Sequence, residues 1–161
     1  MPELVRRLST SAMVARLGLS AVILLTLLSL PGCETDVPQT ARVTSVIDGD
    51  TIVIEGGHHI RYIGIDTPER EEPFYQEARQ YNQELVENRT VRLEKDVTDR
   101  DRFDRLLRYA YVGDVFVNLE LVRQGFAVVY PEGQFPDNKY YGVLSQAEAE
   151  ARQAGRGIWG Q

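Results

Sequence analysis

Between residues 42 and 65, three short runs rich in β-branched residues are separated by turn residues, and that spacing leaves no room for a helix. Residues 42–47, 51–55 and 60–65 concentrate Val, Ile and Thr, which suit a pleated, half-buried strand. Asp48-Gly49 and Gly56-Gly57 supply the turns, so an antiparallel meander is predicted. Carboxylates stand where the chain leaves a strand: Asp48 and Asp50 in the first turn, and Asp66 and Glu69 after the third strand. A hairpin at Gly56-Gly57 brings all four together and lets backbone geometry hold them. Arg61 falls on the same face as Ile63 and Ile65 by the period of two, a guanidinium on an otherwise apolar inward face.

Beyond Pro73 the period changes. Ala78, Tyr81, Leu85 and Val86 have helical spacing, with Asn88 as terminator. Residues 90–97 read as a strand, 97–104 as an irregular charged stretch, and 105–112 as another strand. Asn118 is expected to cap a short helix carrying Leu119, Leu121 and Val122, which Gly125 ends. A last helix over about 140–153 stripes Val143, Leu144, Ala147 and Ala151, and Ile158-Trp159 forms an apolar tail. Five strands with a helix between the third and fourth follow the order of an OB-fold barrel, so the expected class is α+β, a five-stranded β-barrel with three helices.

Arg6, Arg7 and Arg16 precede the uncharged apolar run 17–30, which has the length of a signal-peptide core and is short for a membrane span. The single cysteine closes Leu30-Pro31-Gly32-Cys33, which resembles a bacterial lipobox. That resemblance implies a signal peptide over 1–32, acylation of Cys33, a tether over 33–40 and a domain over 41–161 held to a membrane outside the cytoplasm. An ordinary secretory signal with an incidental cysteine and an uncleaved anchor are the other readings, and Met13 offers a second start. One cysteine excludes an intrachain disulfide.

Three of the 18 basic and one of the 24 acidic residues lie in 1–32, leaving 15 against 23 and a net charge of −8 for the remainder. An acidic domain is a poor tight nonspecific binder of nucleic acid, which rests on a basic face and counterion release. Clustered arginines beside a cation still suffice for turnover. Four convergent carboxylates repel one another and call for a hard divalent cation with oxygen ligands, Ca²⁺ or Mg²⁺ rather than zinc. Arg61, and Arg105 in Asp101-Arg102-Phe103-Asp104-Arg105, add flat pairs of donors suited to the equatorial oxygens of a phosphodiester under attack.

From about residue 41 to residue 159 the chain resembles the staphylococcal nuclease, or thermonuclease, family. The matching pieces are Val46-Ile47-Asp48-Gly49-Asp50-Thr51, Arg61 through Asp66-Thr67-Pro68-Glu69, residues 101–105 leading into Leu106-Leu107, and Leu121-Val122-Arg123-Gln124-Gly125. The resemblance implies a Ca²⁺-dependent endonuclease on an OB-fold, cutting DNA and RNA with little sequence preference to leave 3′-phosphate ends. It assigns Asp50 and Asp66 as carboxylate ligands of Ca²⁺ and Thr67 as a ligand through its carbonyl, with Asp48 in support. Glu69 would orient or deprotonate the attacking water, and Arg61 and Arg105 would bind phosphate and stabilise the transition state. Tyr130, with Tyr140 or Tyr141, is a candidate for base stacking or phosphate contact. Asp104 stands where the family usually has glycine, and an ion pair with Arg105 is expected of it; Phe103 replaces the usual tyrosine. The short acidic stretch after Glu69 points to single strands or frayed ends as substrate. The rival reading is a catalytically weak OB-fold module of the cell envelope that binds nucleic acid or protein. A monomer is the simplest assembly.

Overall fold

A computed structural model describes residues 38–133 and 138–160. The stretch expected as a signal peptide, Cys33 and most of the expected tether lie outside the described residues. The meander forms as expected: β1 (Thr40–Val46) pairs antiparallel with β2 (Thr51–Ile54), and β2 with β3 (His59–Tyr62). Residues 65–66 form a two-residue strand, β4 (Ile65–Asp66). Helix α1 (Tyr75–Val86) crosses to β5 (Thr90–Glu94), which pairs with β1 and with β6 (Leu106–Val112).

A parallel pairing of β3 with β6, with Ile60, Arg61 and Tyr62 opposite Leu106, Leu107 and Arg108, closes the ring. The result is a five-stranded closed barrel of β1, β2, β3, β5 and β6 with three helices, the OB-fold predicted. Closure removes sheet edges and lets Val43, Ile52, Ile54, Ile60 and Leu106, all fully buried, fill the interior. A short β7 (Val115–Phe116) extends β6, helix α2 (Val117–Arg123) follows, β8 (Val128–Val129) pairs with β4, and helix α3 (Tyr141–Gln153) precedes a 3₁₀ turn at Gly157–Trp159.

The third strand was expected to run unbroken to Ile65. It ends at Tyr62 because the chain turns at Ile63-Gly64, where Gly64 has φ +80°, a left-handed conformation open to glycine. Asn118, expected as a helix cap, lies inside α2 and is fully buried. Its Oδ1 accepts from Ala110 N–H and its Nδ2 donates to the Ile63 carbonyl, so it fastens that turn to β6. Along α1 the buried stripe is Ala78, Asn82 and Val86, and Tyr81 and Leu85 lie at its half-exposed margin.

Candidate active site

The two acidic turns meet. A cleft of about 500 Å³ is lined by Asp48, Asp50, Arg61, Asp66, Glu69, Arg105 and Tyr130, together with Tyr62, Leu107 and the 101–103 turn. The β2–β3 register sets Thr51 opposite Arg61, and the closing β3–β6 pair sets Arg61 opposite Leu107, so the barrel places the first arginine two residues across from the second.

Asp48 and Asp50 occupy the β1–β2 turn. Asp48 Oδ1 accepts from the Asp50 N–H at 3.1 Å, a local turn bond that Asp forms readily. Gly49 lets the turn lie against Thr67: a Cβ there would stand 2.7 Å from Thr67 Oγ1 and 2.8 Å from its Cβ. Asp50 is buried, and each of its oxygens has two polar partners. Oδ1 faces Arg61 Nε at 3.1 Å and the Thr51 hydroxyl at 3.1 Å, and Oδ2 takes the Thr67 N–H at 3.0 Å and its hydroxyl at 2.9 Å. Burial nonetheless pushes its carboxyl up to about 7; Arg61 opposes the rise, Asp48 adds to it, and the Thr67 bonds resist it.

Arg61 is also buried and makes five polar contacts, as many as its five N–H donors. Nη1 donates to the carbonyls of Tyr62 at 2.9 Å and Ile65 at 2.8 Å, which hold the turn that ends β3. Nε faces Asp50, and Nη2 reaches Asp66 Oδ1 at 2.7 Å and the Tyr130 hydroxyl at 3.4 Å. The arginine on the apolar face is thus the hub joining both acidic stretches. Asp66 is its outermost partner, with a side chain 43% exposed.

Arg105 enters from the turn before β6. Asp101 holds Arg105 twice and the turn once more: Oδ1 accepts the N–H groups of Arg105 at 3.0 Å and Phe103 at 2.9 Å, and Oδ2 accepts Arg105 Nε at 2.7 Å. Burial tends to raise the Asp101 carboxyl, but the bonds from Arg105 outweigh it and bring it below the usual range. With Nε engaged, the guanidinium offers its Nη edge to the cleft, and Nη1 reaches the Thr51 hydroxyl at 3.4 Å. Thr51 therefore touches both Asp50 and Arg105. The pairing expected between Asp104 and Arg105 does not form. Asp104 is exposed, takes φ +64°, and pairs with Arg100 at 3.1 Å.

Of the tyrosines, Tyr130 lines the cleft, and burial raises its hydroxyl pKa. Tyr140 does not line it, which corrects the expectation. Its ring packs edge-on against Tyr109 at 4.7 Å and near Phe116 at 5.0 Å, and its hydroxyl donates to Glu94 at 3.0 Å. Tyr141 opens α3, away from the cleft. Sequence reading missed Asp101 and Thr51 as parts of the site, and Asn82 behind it, whose Nδ2 donates to the Asp48 carbonyl. Asp101 carried a signal, since an Asp four residues before an Arg across a turn can bind both backbone and side chain; the other two act through topology.

The donors lining the cleft suit a hard divalent cation: Asp48, Asp50, Asp66 and Glu69 offer oxygen alone, and Asp50 is buried where its charge is costly. Among the described residues no three His, Cys, Asp or Glu side chains cluster closely enough to hold a metal by themselves. Were Asp50 and Asp66 to hold the cation, each would give up a contact with the Arg61 guanidinium.

A closed OB-fold barrel with carboxylates and arginines sharing one cleft defines a class of small phosphodiester-cleaving enzymes. Residues 59–161 match the model of the staphylococcal nuclease homologues. The chain is 34% identical over 132 residues to the thermonuclease of Staphylococcus hyicus, covering 75% of this chain and 76% of that protein. It is 35% identical over 138 residues to the thermonuclease of Staphylococcus intermedius, covering 78% and 80%. An uncharacterized endonuclease of Haemophilus influenzae is 32% identical over 151 residues, covering 91% and 80%. The chain belongs to the staphylococcal nuclease family and is a nuclease.

Proposed function

We propose that the chain is a Ca²⁺-dependent endonuclease that hydrolyses DNA and RNA phosphodiesters without sequence preference and leaves 3′-phosphate ends. The observation that carries this reading is the convergence of Arg61, Arg105, Glu69 and the Asp48–Asp50–Asp66 carboxylates on one cleft. A module kept only for binding has no need of that full set, which disfavours the envelope-module alternative.

Asp50, Asp66 and the Thr67 carbonyl, supported by Asp48, would hold a Ca²⁺ ion, which would supply positive charge against the phosphate oxygens. Glu69, exposed on the loop after β4, accepts a proton as a water oxygen bonds to phosphorus. The P–O5′ bond breaks, the phosphate stays on the 3′ oxygen, and the 5′ oxygen takes up a proton. Arg105 offers its Nη edge to the equatorial oxygens. Arg61 contributes through Nη2, whose partners Asp66 and Tyr130 stand at the cleft side, while Nη1 and Nε keep the site in shape.

The test is degradation of single- and double-stranded DNA and of RNA by the full chain with Ca²⁺, with Mg²⁺ and with a calcium chelator, alongside Glu69→Gln. Cleavage that requires Ca²⁺, leaves 3′-phosphates and falls at least about 10²-fold in Glu69→Gln is expected, at the scale of general-base loss. A folded wild type that binds Ca²⁺ and cuts nothing would move the reading to the binding module. We further propose a monomer anchored outside the cytoplasm through acylated Cys33, by the motif Leu30-Pro31-Gly32-Cys33. Cys33→Ser should leave the membrane fraction for the soluble one; retention with an uncut N-terminus would refute acylation as the anchor.

A further inference from the structure

The turn that carries Asp48 and Asp50 is gripped from behind by α1. Asn82 Nδ2 donates to the Asp48 carbonyl at 3.0 Å, and Arg79 donates through Nε to the Ile47 carbonyl at 3.1 Å and through Nη2 to the Val46 carbonyl at 3.4 Å. Three consecutive carbonyls leading into the turn are thus held by one helix, while the carboxylates of Asp48 and Asp50 remain on the cleft.

Asn82 is fully buried on the otherwise apolar stripe of Ala78 and Val86. A buried amide at such a position costs stability unless both its ends are bonded. Both are: Oδ1 accepts the Tyr62 hydroxyl at 3.0 Å, and the Tyr62 N–H donates to the Asp50 carbonyl at 2.9 Å. The relay runs from β3 through Tyr62 and Asn82 to both ends of the acidic turn. The turn that carries Glu69 leads into this helix. Glu69 and Glu72 bond reciprocally, Glu69 N–H to Glu72 Oε2 and Glu72 N–H to the Glu69 carbonyl, each at 2.8 Å, and α1 starts at Tyr75.

We propose that α1 is the positioning frame of the cation turn, with Asn82 and Arg79 as positioning residues that preset the Asp48 and Asp50 oxygens for a divalent cation through the backbone carbonyls behind them. This rests on reading Asp50 as a cation ligand. Neither residue touches the cation or the substrate. Their effect is on affinity, because a turn released from α1 must be ordered when the ion binds.

The experiment titrates CaCl₂ by calorimetry into the full chain carrying Asn82→Ala, Arg79→Met or Arg79→Lys, with Val86→Ala as a control. Val86→Ala removes apolar packing from the same buried stripe and touches no carbonyl of the turn. Arg79→Met keeps the aliphatic stem and an intact core, so it folds even if Asn82→Ala does not. Asn82→Ala and Arg79→Met are expected to weaken Ca²⁺ binding about 10-fold, the low end for residues that orient metal ligands, with Arg79→Lys restoring part of it. Val86→Ala should lower Tm and leave Ca²⁺ affinity unchanged. Equal loss of affinity in Val86→Ala, or unchanged affinity in Arg79→Met, would overturn the frame while leaving the nuclease reading intact. A wild type that takes up no Ca²⁺ would overturn the cation site itself and the frame with it.

Discussion

Asp101→Asn separates the charge of the 101–105 turn from its shape. The amide oxygen can still accept the N–H groups of Phe103 and Arg105, which leaves the NH₂ facing Arg105 Nε, donor against donor, where the carboxylate had accepted at 2.7 Å. A charge-assisted bond of this kind contributes about 1.5–3 kcal/mol when well shielded. The Asp101 and Arg105 side chains are 16% and 29% exposed, so solvent screening brings the stability cost to about 1 kcal/mol. The larger effect falls on rate. A guanidinium no longer fixed at Nε presents its Nη edge in several orientations, and loss of orientation of this order slows turnover about 10-fold. Removing the donors altogether with Arg105→Ala should cost about 10²-fold or more. Single-turnover cleavage of a single-stranded oligonucleotide at saturating enzyme measures the step, and urea unfolding measures the stability. The decisive comparison is Asp101→Asn on the Arg105→Ala background, where it should do nothing further. An undiminished 10-fold loss there would show that Asp101 acts by another route.

Two other outcomes follow from the geometry. Asp104→Gly should raise stability by up to about 1 kcal/mol, since φ +64° is strained for a side chain and the Arg100 pair it forfeits is solvent-exposed, and should leave the rate unchanged. Urea midpoints read the first and the oligonucleotide assay the second; a slower enzyme would mean Asp104 contributes to the site. In chelator, the pH profile of stability should peak on the acid side of neutrality. Glu94, Asp99, Asp101 and Glu120 have carboxyls held below their usual values, so the stability they contribute is present above about pH 4 and is lost as pH falls further. Asp50 acts in the opposite sense. Raised from 3.8 to about 7, it makes the folded chain hold its proton more tightly, and stability declines as pH rises between those values. Asp50→Asn should abolish that decline, and wild-type stability that climbs steadily from pH 4 to 7 would contradict the sign.

The parts of the site that were legible in the sequence are those set by local rules. Strand propensity and the Asp-Gly and Gly-Gly turns placed Asp48, Asp50, Arg61 and Asp66, because a meander fixes neighbours by turn length alone. The left-handed residues Asn88 and Gly125 likewise ended their helices where expected. Contacts between distant elements were not legible. Nothing near Asn82 in sequence reveals that its amide lies under Asp48, nor does a run of tyrosines reveal that Tyr130 faces Arg61 while Tyr140 belongs to an aromatic cluster with Tyr109 and Phe116. The break at Ile63-Gly64 was hidden because β-branched residues continue through it; the Arg61 and Asn118 bonds to carbonyls there are what define the turn.

The seam between β3 and β6 decides when the molecule becomes dangerous. Arg61 belongs to one side of that seam and Arg105 leads into the other, and no turn shared by the two brings them near each other. A ribosome releases the first well before the second, and a chain kept extended by a chaperone or a translocation channel holds them far apart. The two arginines therefore share one cleft only once β3 and β6 pair and the ring is closed. Nucleic acid near a growing chain therefore meets one arginine at a time.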